Sequence, residues 1–251
     1  MKNHIDNFDQ MLAITADLFY SLEHELFFSS MHLEGKRILD VGCGNGAYLS
    51  KVHGSFPTAE LVGVEYDEGI FQKAIGKANE KMQFHRMSYE ELPVTQPFDL
   101  VILRLVIHHL PDKKHFSNWL RSVTHAESTI LVIEIDNEKL NDNEQLPLFS
   151  ALYKQSRQGI IKNRFLDVKD ALRIEMEHYG WLHEQTTTYS ISADQTEIKQ
   201  KLYAYMKLVA QSNVSGPIPL DLLDELETWL YHPTATHQVH MFGMTFYCRI
   251  R

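Results

Sequence analysis

Three glycines at alternate positions, Gly42, Gly44 and Gly46, end the run ILDVGCGNG at residues 38–46. An apolar run leads into them through Asp40, and a helix-like stretch, AYLSKV, follows. Strand, glycine turn and helix together open a nucleotide-binding βαβ unit. The spacing is GxGxG. The GxGxxG form serves a pyrophosphate seated on backbone N–H groups at a helix N-terminus. Here the strand side of the loop carries an acid instead.

An acid suits a cationic ligand that has no phosphate. S-adenosylmethionine, with its ammonium and sulfonium, is such a ligand. The segment Asp40-Val41-Gly42-Cys43-Gly44-Asn45-Gly46 resembles motif I of class I S-adenosylmethionine-dependent methyltransferases. The resemblance extends over residues 36–136 and to two later strands, and it is closest to the small-molecule type. It implies S-adenosylmethionine as cofactor and S-adenosylhomocysteine as product.

Alternation of strand and helix patterns supports an α/β fold. KRILDVG, ELVGVEY, MQFHRM, FDLVILRL and STILVIEI read as strands, with helical segments between them. FDLVILRL is nearly continuous in apolar residues, as in a strand buried on both faces. WLHEQTTTYSI and HQVHMFGMTFYCRI read as the last two strands. The resemblance implies a Rossmann-like, doubly wound, seven-stranded sheet, mostly parallel with an antiparallel last strand. One methyltransferase domain over 1–251 is expected. It comprises N-terminal helices at 1–33, a cofactor-binding core at 36–136, helical cap insertions at 137–180 and 194–232, and the last two strands at 181–193 and 237–250. No independent second core is expected.

Ligands of open α/β sheets lie beyond the carboxyl ends of the strands, so each strand end supplies candidates. Asp40, Gly42, Cys43, Gly44 and Gly46 belong to the first. Glu65, nineteen residues after Gly46, ends the second and suits the two ribose hydroxyls. Tyr66 follows and suits the adenine face. The third strand leads to Ser88 and Tyr89. The family often has an Asp where Ser88 stands, so a charged acceptor for the adenine amino group is missing. Arg104 ends the fourth strand and is a candidate for the methionine end of the cofactor. Glu134 and Asp136 end the fifth.

His108 and His109 follow the fourth strand in a segment, VILRLVIHHLPD, close to the family's motif IV. Either one is a general base, for which a near-neutral ordinary pKa is suited, or both pack beside the cofactor and fix the loop. The second reading is favoured. Tyr20, His24, Glu134 and Tyr153 are substrate candidates by position. An in-line transfer from a sulfonium needs alignment above all.

Composition narrows the partners. A net charge of −9 and the lack of any basic run argue against a nucleic-acid partner. The N-terminal residues, which include acids, do not read as a signal peptide, and no segment reads as a membrane span, so a cytoplasmic protein without a membrane partner is expected. Two cysteines, Cys43 and Cys248, form no recognisable metal or disulfide pattern. Fourteen histidines invite a metal reading, but their spacing provides no ligand set, and no metal is expected. The expected function is methyl transfer to a small organic molecule. A protein or RNA methyltransferase, and a non-catalytic S-adenosylmethionine-binding regulator, are the alternatives. No DPPY-type segment follows the fourth strand, and a dehydrogenase fits neither the glycine spacing nor the acid. The aromatic N-terminal helices suit either a cap or a homodimer interface.

Overall fold

A computed structural model describes residues 2–93, 95–110, 113–140, 143–164 and 168–248. Seven strands form one sheet in the order β3-β2-β1-β4-β5-β7-β6. They are β1 (Arg37–Val41), β2 (Glu60–Glu65), β3 (Met82–Arg86), β4 (Phe98–Arg104), β5 (Thr124–Ile135), β6 (Trp181–Ser192) and β7 (Gln238–Cys248). β1 to β5 are mutually parallel. β7 runs antiparallel between β5 and β6. The sheet is therefore the Rossmann-like one implied by the resemblance. Of the last predicted strand, residues 249 and 250 lie outside the described residues.

Eight α-helices surround it among the described residues: α1 (Lys2–Glu23), α2 (Ala47–Ser55), α3 (Glu68–Ile75), α4 (Lys113–Val123), α5 (Pro147–Arg164), α6 (Val168–His178), α7 (Thr196–Asn213) and α8 (Leu220–Tyr231). A single π-helical turn, His24–Phe28, continues α1. Such turns are rare and favour functional sites.

Strand periodicity divides the core between the two faces. Ile38, Leu61, Leu100, Ile102, Leu131 and Ile133 face Phe19, Phe27 and Phe28 of the N-terminal helices and Leu49 and Val52 of α2. Their neighbours Leu39, Val101, Leu103, Ile130 and Val132 share the other cluster with Phe116 and Leu120 of α4 and Leu172 and Met176 of α6. The aromatic rings that suggested a cap or a dimer interface thus lie largely within the chain: Phe19, Phe27 and Phe28 are buried.

The helices after β5 differ in what they pack against. Leu172 and Met176 place α6 in the outer layer of the sheet, because its apolar stripe matches the β6 side of the core. A further apolar cluster also exists. It is built from Leu146 and Phe149, Leu202, Met206 and Val209 of α7, and Leu222, Leu226 and Trp229 of α8. Helices that project beyond the strand ends cannot bury their apolar faces on the sheet, so they bury them on one another. Leu18, Ile198 and Val239 pack against both this cluster and the sheet.

β5 starts earlier than the sequence pattern suggests. Its first residue, Thr124, pairs with Phe98, and the register shifts before Leu100 meets Thr129. The intervening HAES has no apolar alternation to mark a strand, and Ser128 Oγ instead donates to Phe98 O at 2.7 Å.

No described helix is long and apolar enough to cross a membrane. Gly243, in the middle of β7, lies under the ring of Phe27, and a Cβ there would overlap it. Gly243→Val is expected to lower stability by about 1–3 kcal/mol through overpacking, read by chemical denaturation. An unchanged midpoint would show that Phe27 moves aside freely.

Candidate active site

One cavity of about 730 Å³ lies at the carboxyl ends of β1, β2, β4 and β5. Its size is in the range of small-ligand sites. Asp40, Gly42, Cys43, Gly44, Glu65, Tyr66, Ser88, Tyr89 and Arg104 line it, and so do His108, His109 and Glu134. Gly46 lies off the lining as the residue before α2. Tyr20, His24 and Tyr153 also lie off it. Tyr20 donates to Ser55 Oγ at 2.7 Å, and His24 stacks on Phe28 and Phe56, so both face α2. Tyr153 lines a smaller neighbouring cavity, with Asp136 and His237.

The glycine loop is held from both sides. Gly44 has φ +56, and a Cβ on it would press against Leu12 of α1. Asn45 Nδ2 donates to Asp9 O and Oδ1, at 3.0 and 2.7 Å, and Asn45 Oδ1 accepts from Ala47 N at 3.0 Å. α1 is thereby fastened over the loop as a lid.

Asp40 is 2% exposed, and no described residue makes a hydrogen bond or ion pair with its carboxylate. Burial pushes its pKa up to about 7, with Arg104 opposing and Glu65 adding to the shift. Glu65 accepts from Gly44 N at 3.0 Å and from Asp67 N at 2.8 Å. Burial also raises its pKa, against those bonds. Its remaining lone pairs suit paired hydroxyl donors. Burial drives the Cys43 thiol well above its ordinary pKa, which leaves it a small packing group and not a nucleophile.

Tyr66 is 78% exposed at the cavity mouth. The Tyr89 ring packs edge-on against Trp119 at 4.7 Å and Phe116 at 5.1 Å. Ser88 N donates to Glu91 Oε2 at 3.0 Å, closing the turn that carries Tyr89.

Arg104 is committed to a buried acid. Its Nε and Nη2 donate to Glu23 at 3.1 and 3.3 Å, and its guanidinium lies 4.5 Å above the ring of Tyr48. Burial alone would lower its pKa, but the facing Glu23 carries it above the ordinary value. Tyr189 also donates to Glu23, at 2.8 Å. Glu23 is wholly buried and escaped the sequence reading. The signal was present: Phe19, Glu23 and Phe27 occupy one helical face at steps of four, so an acid sits in an apolar stripe.

His108 and His109 part company. His109 is exposed, whereas His108 Nδ1 lies 2.8 Å from Glu134 Oε2, and Glu134 is 1% exposed. A carboxylate oxygen accepts, so Nδ1–H is the donor of this pair and Nε2 is the ring's other nitrogen. Leu105, just before, has φ +57, an uncommon conformation for a residue with a side chain that is enriched at functional sites. Asp136, the other acid of this strand end, is buried on Lys169 at 2.9 Å and is not solvated. No group of three or more His, Cys, Asp or Glu among the described residues is placed to hold a metal.

Residues 32–206 match the methyltransferase-domain family. The chain belongs to that family. It is 24% identical over 187 residues to a malonyl-[acyl-carrier protein] O-methyltransferase of Bacillus cereus, covering 72% of this chain and 67% of that one. It is 25% identical over 179 residues to a tRNA U34 carboxymethyltransferase of Alteromonas mediterranea, covering 61% of this chain and 53% of that one. The fold resembles phosphoethanolamine N-methyltransferase 2 of Haemonchus contortus, solved with S-adenosyl-L-methionine. The TM-score is 0.60 and the identity 14%, over 92% of this chain and 53% of that one. The chain thus spans about half the length of the last two proteins.

The fold is that of a class I methyltransferase, and the solved proteins of this fold include one that holds S-adenosyl-L-methionine. The residues present fit it. A buried, unpartnered acid at Asp40 suits a cationic group, the open glycine loop admits close approach, and Glu65 is fixed to accept from hydroxyls.

Two outcomes are expected. Asp40 holds a proton below about pH 7, and a bound cation favours its ionised form. Cofactor affinity therefore rises with pH up to about 7 and levels off above. Asp40→Asn flattens that profile, as read by calorimetry across pH. The folding contribution has the opposite sense. Because the folded pKa exceeds the ordinary 3.8, stability is lost as pH rises from there to about 7. Separately, Glu23→Ala leaves Arg104 buried without its partner and should cost about 3–5 kcal/mol. A loss below about 1 kcal/mol in denaturant titration would be the size of an exposed ion pair, not a buried one.

Proposed function

We propose that this chain transfers a methyl group from S-adenosylmethionine to a small organic acceptor held beneath the helical cap. The observation that carries the proposal is the continuity of the cavity. It runs from Asp40 and Gly44 to His108 and Glu134, under Phe8, Met11, Leu12 and Thr15 of α1 and beside Arg157 of α5 and Tyr205 of α7. A roofed cavity of this size supports a small acceptor over a macromolecule. The charge of −9 disfavours a polyanion.

When bound, the cofactor supplies a methyl group already activated on a sulfonium. Asp40, Gly42, Gly44, Glu65 and Tyr66 are the residues proposed to hold it. α1 excludes water over the loop, and the cap aligns the acceptor, which can contribute several orders of magnitude in rate. His108, steadied by Glu134, takes the proton of an acceptor hydroxyl at Nε2. His109 is too exposed for that role.

Similarity to a tRNA-modifying enzyme supports a second reading, with an RNA acceptor. Salt separates the two: RNA binding weakens steeply with ionic strength, and binding of a small acceptor does not.

Calorimetry with S-adenosylmethionine, S-adenosylhomocysteine and NAD tests the pocket. Binding of the first two and not of NAD is expected. Gly44→Arg should abolish that binding while the circular dichroism spectrum is retained. Normal affinity in this variant removes the cofactor assignment. In an acceptor screen, His108→Ala should lower turnover of hydroxyl acceptors by about 10²–10⁴-fold with cofactor affinity unchanged.

A further inference from the structure

Two arginines line the cavity, Arg104 and Arg157. Their situations differ. Arg104 is neutralised by Glu23. Arg157 has no carboxylate partner among the described residues. Its Nε donates to Asn137 Oδ1 at 3.2 Å, and its Nη2 is buried with no hydrogen-bond partner. Asn137 fixes one edge of the guanidinium and leaves the Nη1/Nη2 edge without an acceptor among the described residues.

Nothing in packing explains this. A buried, charged donor without an acceptor is costly, and folded proteins rarely keep one. The other buried or half-buried cation of this region, Lys169, is satisfied by Asp136 and Glu138 at 2.9 and 2.8 Å. The charge of Arg157 bears on the phenols of Tyr153 and Tyr205, which hydrogen-bond to each other beside it. Arg157 also shares the cavity wall with Glu134 and His108, at the β5 end and away from Asp40 and Glu65.

We infer that Arg157 is the recognition residue for the methyl acceptor, and that the acceptor carries an anionic oxygen group, a carboxylate or a phosphate. The planar Nη1/Nη2 edge suits two oxygens of such a group. Asn137 is a positioning residue that sets the angle of the fork. An acceptor anchored there by its acid lies with the rest of its body toward His108. The inference rests on the methyltransferase reading, because it assigns the acceptor side of that cavity.

The test uses protein saturated with S-adenosylhomocysteine and three probes of similar shape: benzoate, phenyl phosphate and the neutral benzamide. Benzoate or phenyl phosphate is expected to bind at least about tenfold more tightly than benzamide, and which of the two is tighter separates carboxylate from phosphate. Arg157→Gln should abolish the preference and leave affinity for S-adenosylhomocysteine within about twofold, well inside one charge-assisted bond. Arg157→Met should also raise the thermal midpoint of the ligand-free protein, because an unpaired buried charge is removed. An arginine kept for structure would lower it. Equal binding of all three probes, or of none, overturns the inference. So does a preference that survives in Arg157→Gln, or a parallel loss of S-adenosylhomocysteine affinity, which would place Arg157 on the cofactor. Failure of the wild-type protein to bind S-adenosylhomocysteine refutes the methyltransferase reading instead, and the anion preference is then measured without it.

Discussion

A carboxylate at the end of α1 holds the lid, the sheet and the cavity in one arrangement. Glu23 accepts from Arg104 at the end of β4 and from Tyr189 in β6. The three groups come from distant parts of the chain and are buried together. Each alone would be a costly buried polar group, and together they satisfy one another. The cluster also decides what Arg104 is available for. With its guanidinium committed to Glu23, the nearest cation to Asp40 is withheld, and Asp40 remains an acid looking for a positive charge.

The cavity is thus organised by unequal satisfaction of its charges. Arg104 is paired and serves architecture. Asp40 and Arg157 have no oppositely charged hydrogen-bond partner among the described residues, and they lie at different parts of the lining. Glu134 is spent on His108. Unpaired charge of this kind is uncommon in a protein interior and costs stability. The separation of an unpaired acid at the glycine loop from an unpaired cation at the β5 end gives the cavity a direction.

Much of this was legible in the sequence, and the reasons it was or was not are physical. Residues 36–136 announce their strands because buried parallel strands need uninterrupted apolar runs, as in FDLVILRL, and because glycines punctuate them. Asp40 and Glu65, which both line the cavity, are reached by counting from the glycines. Tyr20 and His24 lie off the cavity lining, and position along the N-terminal helices does not reveal which face meets α2. Glu23 and Arg157 were missed for a related reason. Each is a charged residue on an apolar helical face, at steps of four from Phe19 and Phe27 in one case and from Phe149 and Tyr153 in the other. Periodicity was used to find apolar residues, whereas the informative observation was the polar one interrupting them. The location of α6 could not be read at all, since an amphipathic stripe does not name the surface that it covers.

The place of β7 has a consequence for how the molecule comes together. It lies between β5 and β6 but follows both in the chain. β6 has no partner until β7 is laid down, and β5 keeps an open edge until then. Two unpaired strand edges must therefore coexist in the partly folded chain while α7 and α8 form in the interval. Closing them requires contacts of long sequence separation, which are slow to form and leave edges exposed to other chains. The step that completes the sheet is also the one most open to competition from self-association.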